Sequence, residues 1–191
     1  MNMKIRMNKI VLCLAVVIVI VPAALALTGT EPQATSGPSG KLAAVHGTVT
    51  VNGTSAVSGA TVFSDSTVTT AKGSSAVVSL GKLGRVEVME ETTMKLSFTD
   101  GSVSIEMLSA GRVRVSSSPS ASATTTTSDG QVVADASGRQ MFTVDTKCGN
   151  TFVSVKVGTV ELRAGTAVKQ IAAGNQDTAG TATPGCTPAA G

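Results

Sequence analysis

The chain has 191 residues, enough for one domain, with 42% hydrophobic, 14% charged and 2% aromatic residues and a formal net charge of +3. Lys4, Arg6 and Lys9 account for that excess. Setting these three aside from the 15 basic residues leaves 12 against 12 acidic ones, so no phosphate-neutralising surface is indicated and nucleic acid is excluded as a partner. The abundance of Val and Thr excludes a disordered chain, and a single long apolar run excludes a multi-span membrane protein.

Residues 1–9 are basic and polar, Ile10 to Val21 is unbroken apolar sequence, Pro22 interrupts it, and Ala24-Leu25-Ala26 has the small-x-small form of a cleavage site. This is the layout of a secretory signal peptide over residues 1–26, which places the protein outside the cytoplasm, periplasmic or secreted. The alternative is an uncleaved inner-membrane anchor, since Ile10 to Leu27 is barely long enough to span a bilayer. Only in that case is the membrane a partner. Cys13 lies mid-run and does not resemble a lipidation site. Residues 27–41 have the Pro, Gly and polar composition of a linker.

From residue 42 the pattern has period two. Val45, Gly47, Val49 and Val51 alternate with polar residues. So do Val86 and Val88; Met94, Leu96 and Phe98; Val103, Ile105 and Met107; Val113 and Val115; Val153, Val155 and Val157; and Val160 and Leu162. Each run has the signature of a strand with one buried face. Turn signals separate them, among them Lys72-Gly73-Ser74, Ala110-Gly111 and Cys148-Gly149-Asn150. Asp100-Gly101 predicts a two-residue hairpin with positive φ at both positions. The expected fold is an all-β antiparallel sandwich, jelly-roll-like, in a single domain over residues 42–178, preceded by an apolar helix; a short β-solenoid is the alternative. Ser116 to Gly130, SSSPSASATTTTSDG, is low in complexity and is expected to be an exposed insertion, the least ordered part of the domain. Residues 179–191 form a tail without strand pattern.

The chemistry-bearing residues are few. His46 is the sole histidine and lies on the polar face of its strand, which excludes metal binding by a histidine pair and leaves it a surface residue. Ser79-Leu80-Gly81-Lys82 fits S-x-x-K but lacks the partner motifs and the helix that this chemistry requires. Glu90 and Glu91 are adjacent, so in a strand they face opposite ways and cannot share a proton; a solvated turn is expected. Met89, Met94, Met107 and Met141 have the distribution of packing residues. Asn52-Gly53-Thr54 matches a glycosylation acceptor and, better, a hairpin turn. No catalytic, cofactor-binding or metal site is expected, and the protein is expected not to be an enzyme. Absence of Trp and Tyr counts against stacking on a sugar ring.

In order along the chain, Val45–Val51, Ala56–Gly59, Thr67–Leu80, Gly84–Val88, Leu108–Val113, Phe142–Thr146, Val153–Leu162 and Ile171–Gly174 resemble the motif series of FecR-type domains over roughly residues 43–178. That resemblance implies an extracytoplasmic all-β domain. The best-known members relay signals through a cytoplasmic sigma-factor-binding part and a receptor-contacting part, and neither is expected among these residues. Two functions follow as expectations. One is an exported, non-enzymatic binding module of the bacterial cell envelope, meeting an envelope protein or glycan through a strand edge or loop. The other is a membrane-anchored sensor or regulator of an envelope signalling system.

With Cys13 removed by processing, Cys148 and Cys186 remain. In an oxidising compartment this pair is expected to form a disulfide that ties the tail to the domain.

Overall fold

The computed structural model describes residues 38–188; the expected signal peptide and residues 27–37 of the expected linker lie outside them. Among the described residues there is no α-helix, and the period-two runs become strands. The first are β1 (Ser39–His46), β2 (Val49–Val51), β3 (Thr54–Ser55), β4 (Thr61–Phe63), β5 (Ser66–Thr70) and β6 (Ser75–Ser79). A 3-10 turn, Gly81–Leu83, precedes β7 (Gly84–Val88), β8 (Thr92–Phe98), β9 (Ser102–Met107), β10 (Arg112–Ser117) and β11 (Ser122–Thr126). The chain closes with β12 (Gln131–Ala134), β13 (Gln140–Asp145), β14 (Thr151–Val157), β15 (Thr159–Ala164), β16 (Ala167–Ala172) and β17 (Gln176–Ala179).

The strands form two sheets. Sheet A has the order β17-β14-β13-β10-β7-β6-β1-β4, and sheet B the order β16-β15-β12-β11-β9-β8-β5-β2-β3. Pairing is antiparallel except between β9 and β11, where β10, lying in sheet A, serves as the crossover. Hairpins are distributed over both sheets: β6–β7 and β13–β14 in A, and β8–β9, β11–β12 and β15–β16 in B. The fold is therefore the expected β-sandwich, laid down nearly in chain order, which is the one feature it shares with a solenoid.

Inward-facing Val68, Val78, Val86, Val88, Met94, Leu96, Ile105, Val113, Val144 and Leu162 are each no more than 1% exposed and fill the space between the sheets. Phe142 is the largest of the fully buried side chains. At about 25 cal/mol per Å² of apolar surface removed from water, this continuous layer supplies the main driving force for folding.

Several expectations need correction. The Val45–Val51 run does not stay in one sheet: β1 ends at His46, Gly47 turns with φ +69, and β2 begins in sheet B. A Cβ at Gly47 would lie 2.4 Å from Ser74 Oγ, the atom that accepts the Thr48 N–H, so only glycine fits this corner. Gly84 is equally constrained, since its Cβ would meet the Ser116 carbonyl oxygen where β7 packs on β10. Asp100-Gly101 does connect β8 to β9, but neither residue has positive φ. The Gly101 carbonyl instead accepts from Ser122 N–H, continuing the parallel pairing to β11. The domain also begins earlier than expected, at Ser39.

The largest correction concerns residues 116–130, which are not an insertion. β10 runs to Ser117, and β11 occupies Ser122–Thr126 in the middle of sheet B, with Ala121, Ala123 and Thr125 at 0% exposure. Thr and Ser alternate outward against small inward residues, and β-branched Thr suits a pleated strand. This arrangement leaves the hydroxyls of Ser117 and Thr125 buried without a hydrogen-bond partner. A buried hydroxyl without a partner costs about 1–3 kcal/mol. Thr125→Val keeps the shape and removes the polar group, so it is expected to stabilise the domain by about 1 kcal/mol, raising Tm by about 2–4 °C. Calorimetry checks this; an unchanged or lower Tm overturns it.

A disulfide joins Cys148, in the turn after β13 and 3% exposed, to the exposed Cys186, with Cα atoms 5.5 Å apart. Thr183 N–H donates to the Cys148 carbonyl at 2.7 Å, so the tail is fixed by backbone as well as by sulfur. The bond spans 38 residues. On the chain-entropy account, removing it in Cys148→Ala/Cys186→Ala costs up to about 4 kcal/mol. Denaturant unfolding of the protein purified without reductant measures the loss, and two alkylatable thiols under those conditions would contradict the bond.

Candidate functional site

The outward face of sheet A carries the densest set of charged groups on regular strands. Because Val86, Val113, Val115 and Val144 point inward, Arg85, Glu87, Arg112, Arg114, Thr143 and Asp145 point outward. The pairing registers align Glu87, Arg114, Thr143, Ser154 and Gln176 in one row across β7, β10, β13, β14 and β17. A second row places Arg85, Ser116 and Met141 beside a bulge in β14 whose extra residue is Lys156.

Two ionic arrangements share this face. Arg112 Nε donates to Asp145 Oδ2 at 2.9 Å, Nη2 forms an ion pair with the same oxygen at 2.7 Å, and the Asp145 side chain is 1% exposed. Asp145 Oδ1 accepts the Lys147 N–H. Glu87, in contrast, is shared. Arg114 Nη1 donates to Oε2 at 3.0 Å, and Arg85 Nε lies 3.6 Å from Oε1, with all three side chains partly exposed. An open groove of about 530 Å³ lies over this region, lined by Arg85, Glu87, Arg114, Lys156, Asn175 and Gln176 among others. Lys156 has no carboxylate within 4.0 Å among the described residues, so three cations face one carboxylate. Past Arg85 the surface continues into a hollow of about 450 Å³ lined by Ser116, Ser118 and Arg139.

The residues singled out from the sequence lie elsewhere. His46 is exposed at the end of β1, opposite Ser75. Lys82 sits in the 3-10 turn and faces Asp100 at 3.7 Å, both exposed. Glu90 and Glu91 form a turn beside Lys147, and Glu90 accepts the Gly73 N–H. Met94 is fully buried, and Met89, Met107 and Met141 are partly buried. Asn52 and Gly53 both have positive φ in the turn between β2 and β3, and Asn52 Oδ1 accepts Thr67 N–H. The groove residues escaped notice because each reads, locally, as the polar half of an alternating run.

The sheet edges are poorly suited to strand addition. Three edge strands are short: β3 has 2 residues, β4 has 3 and β17 has 4. The longest, β16, carries Lys169 directly opposite buried Leu162 and hence on the core side. Its Nζ donates to Asp177 Oδ1 at 2.7 Å, and this bond, with the Thr178 N–H, holds the Asp177 carboxyl below its ordinary pKa. An inward charge on an edge strand opposes pairing with another chain. Lys169→Val is therefore expected to convert the protein, if monomeric, into one that self-associates at micromolar to millimolar concentration. Light scattering after size exclusion reads this directly, and an unchanged mass across the concentration series overturns it.

No family model and no curated protein matches the chain. Two crystal structures of a candidate anti-sigma factor from Parabacteroides distasonis are similar to it, each with 22% identity, a TM-score of 0.49, and coverage of 59% of this chain and 53% of theirs. The chain thus spans about half the length of the structures it matches.

Proposed function

We propose that this protein is an exported, non-enzymatic binding module of the bacterial envelope, resembling a FecR-type domain, whose partner docks on the outward face of sheet A. The groove carries this reading. It is open and electropositive, and five hydrogen-bonded strands hold its side chains in place, which favours recognition at low ordering cost. The blunted edges move the expected contact from strand edge to sheet face. The motif order that resembles FecR-type domains also supports the second reading, an anchored sensor in which the same face meets a signalling partner. Determining the mature amino terminus separates the two, because the sensor requires residues 10–27 to be retained.

The test is capture from envelope extracts with the exported protein and with Arg85→Glu/Lys156→Glu, in which two exposed cations are reversed. A component retained by the native protein and lost by the variant is the expected result. Equal capture by both, or none above background, overturns the docking face.

A further inference from the structure

We propose that the groove takes an extended acidic peptide segment of its partner, with one carboxylate seated between Arg85 and Arg114 in the position Glu87 now occupies and a second on Lys156. The proposal rests on the binding-module reading and names the partner's chemistry.

The donors are available. A guanidinium has five N–H groups. Among the described residues Arg114 donates one side-chain hydrogen bond, to Glu87, and Arg85 donates none, meeting Glu87 only at 3.6 Å. Glu87 is thus an intramolecular stand-in for a ligand carboxylate, held by two arginines whose side chains are 51% and 34% exposed. A planar fork matches a carboxylate better than an ammonium does, which places the tighter seat at the arginine end.

The spacing is specific. Arg85 on β7 begins a row that runs across β10 and β13 to the β14 bulge, where Lys156 is the extra residue. Three interstrand gaps of ~4.8 Å make ~14 Å. In an extended peptide, residues i and i+4 lie on the same side about 13 Å apart. The groove therefore fits acidic residues spaced four apart. Thr143, Ser154, Asn175 and Gln176 line or flank the path between, and the two side-chain amides can both donate to and accept from a peptide backbone. A sugar is the weaker occupant. The one aromatic residue of the lining, Phe142, is 1% exposed and offers no face for stacking.

The experiment titrates the exported protein, by NMR and calorimetry, with three capped heptapeptides of Ser and Thr: Glu at positions two and six, Glu at two and three, and Lys at two and six. An oligogalacturonate is run alongside. The i, i+4 acidic peptide is expected to perturb the amides of Arg85, Arg114, Thr143 and Ser154 and to bind most tightly. Lys156→Ala is expected to weaken it about tenfold, the size of one charge-assisted contact. Glu87→Gln, which removes the internal competitor, is expected to strengthen it about three- to tenfold, a change that a purely structural role for Glu87 would not produce. No binding, equal affinity for both acidic spacings, no gain in Glu87→Gln, or tighter binding of the oligogalacturonate each overturns the proposal. If the peptide fails while Arg85→Glu/Lys156→Glu still loses its envelope partner, the peptide assignment falls and the docking face stands.

Discussion

Each outward side chain of the sandwich is held in place by the inward one beside it. The interior is built mainly from valine-sized residues, and Val86, Val88, Val113, Val144 and Val153 are each no more than 1% exposed. Slipping any strand by one residue would put arginines into that layer and valines into water, so register is strongly fixed wherever a face is buried. The row Glu87, Arg114, Thr143, Ser154 and Gln176 is a consequence of core packing. The backbone spacing of the row is therefore set by the core beneath it.

The same constraint decides where recognition can occur. A sandwich has four edges and two outer faces. Here the edges are shortened or carry an inward lysine, and β17 is followed at once by a tail tied down through Cys148–Cys186. What remains available is the face, where neighbouring strands bring together residues as distant in sequence as Arg85 and Gln176. The chain-order assembly of the sheets makes this regular: β7, β10, β13, β14 and β17 follow one another both along the chain and across sheet A.

How much of this was legible in the sequence follows from what alternation can encode. Period two gave most of the strands, and the Lys72-Gly73-Ser74 and Cys148-Gly149-Asn150 signals gave turns, in which Gly73 and Gly149 each have a positive φ that glycine tolerates. The partnership of Cys148 and Cys186 was legible from the expected compartment and from the cysteine count. Alternation does not say which sheet a strand joins, so the break at Gly47 was invisible. β11 was missed because Ala123 and Thr125 are small; they fill a central position without announcing it by hydrophobicity. The groove was missed for a different reason. Each of its charges is an ordinary outward residue, and only the order of strands in sheet A, which includes the sheet-to-sheet crossings of β10 and β17, makes them neighbours.

The two ionic arrangements on this face also decide which arginines can serve a ligand. The Asp145 side chain is 1% exposed and meets Arg112 through one hydrogen bond and a 2.7 Å ion-pair contact on the same oxygen. Removing Arg112 would leave the Asp145 carboxylate buried without its counter-charge, at a cost of about 3–5 kcal/mol. Arg112 is therefore committed to the fold. Glu87 is 22% exposed, and its arginines are 51% and 34% exposed. Exposed pairs of this kind hold by about 0.2–1 kcal/mol before screening, and water can take over either partner. Glu87 lowers the repulsion among Arg85, Arg114 and Lys156 while the groove is empty, yet holds none of them firmly enough to exclude a competing carboxylate. A face with one permanent ion pair and one exchangeable pair keeps its shape while its charge remains available, and that combination is what a docking surface for an acidic segment requires.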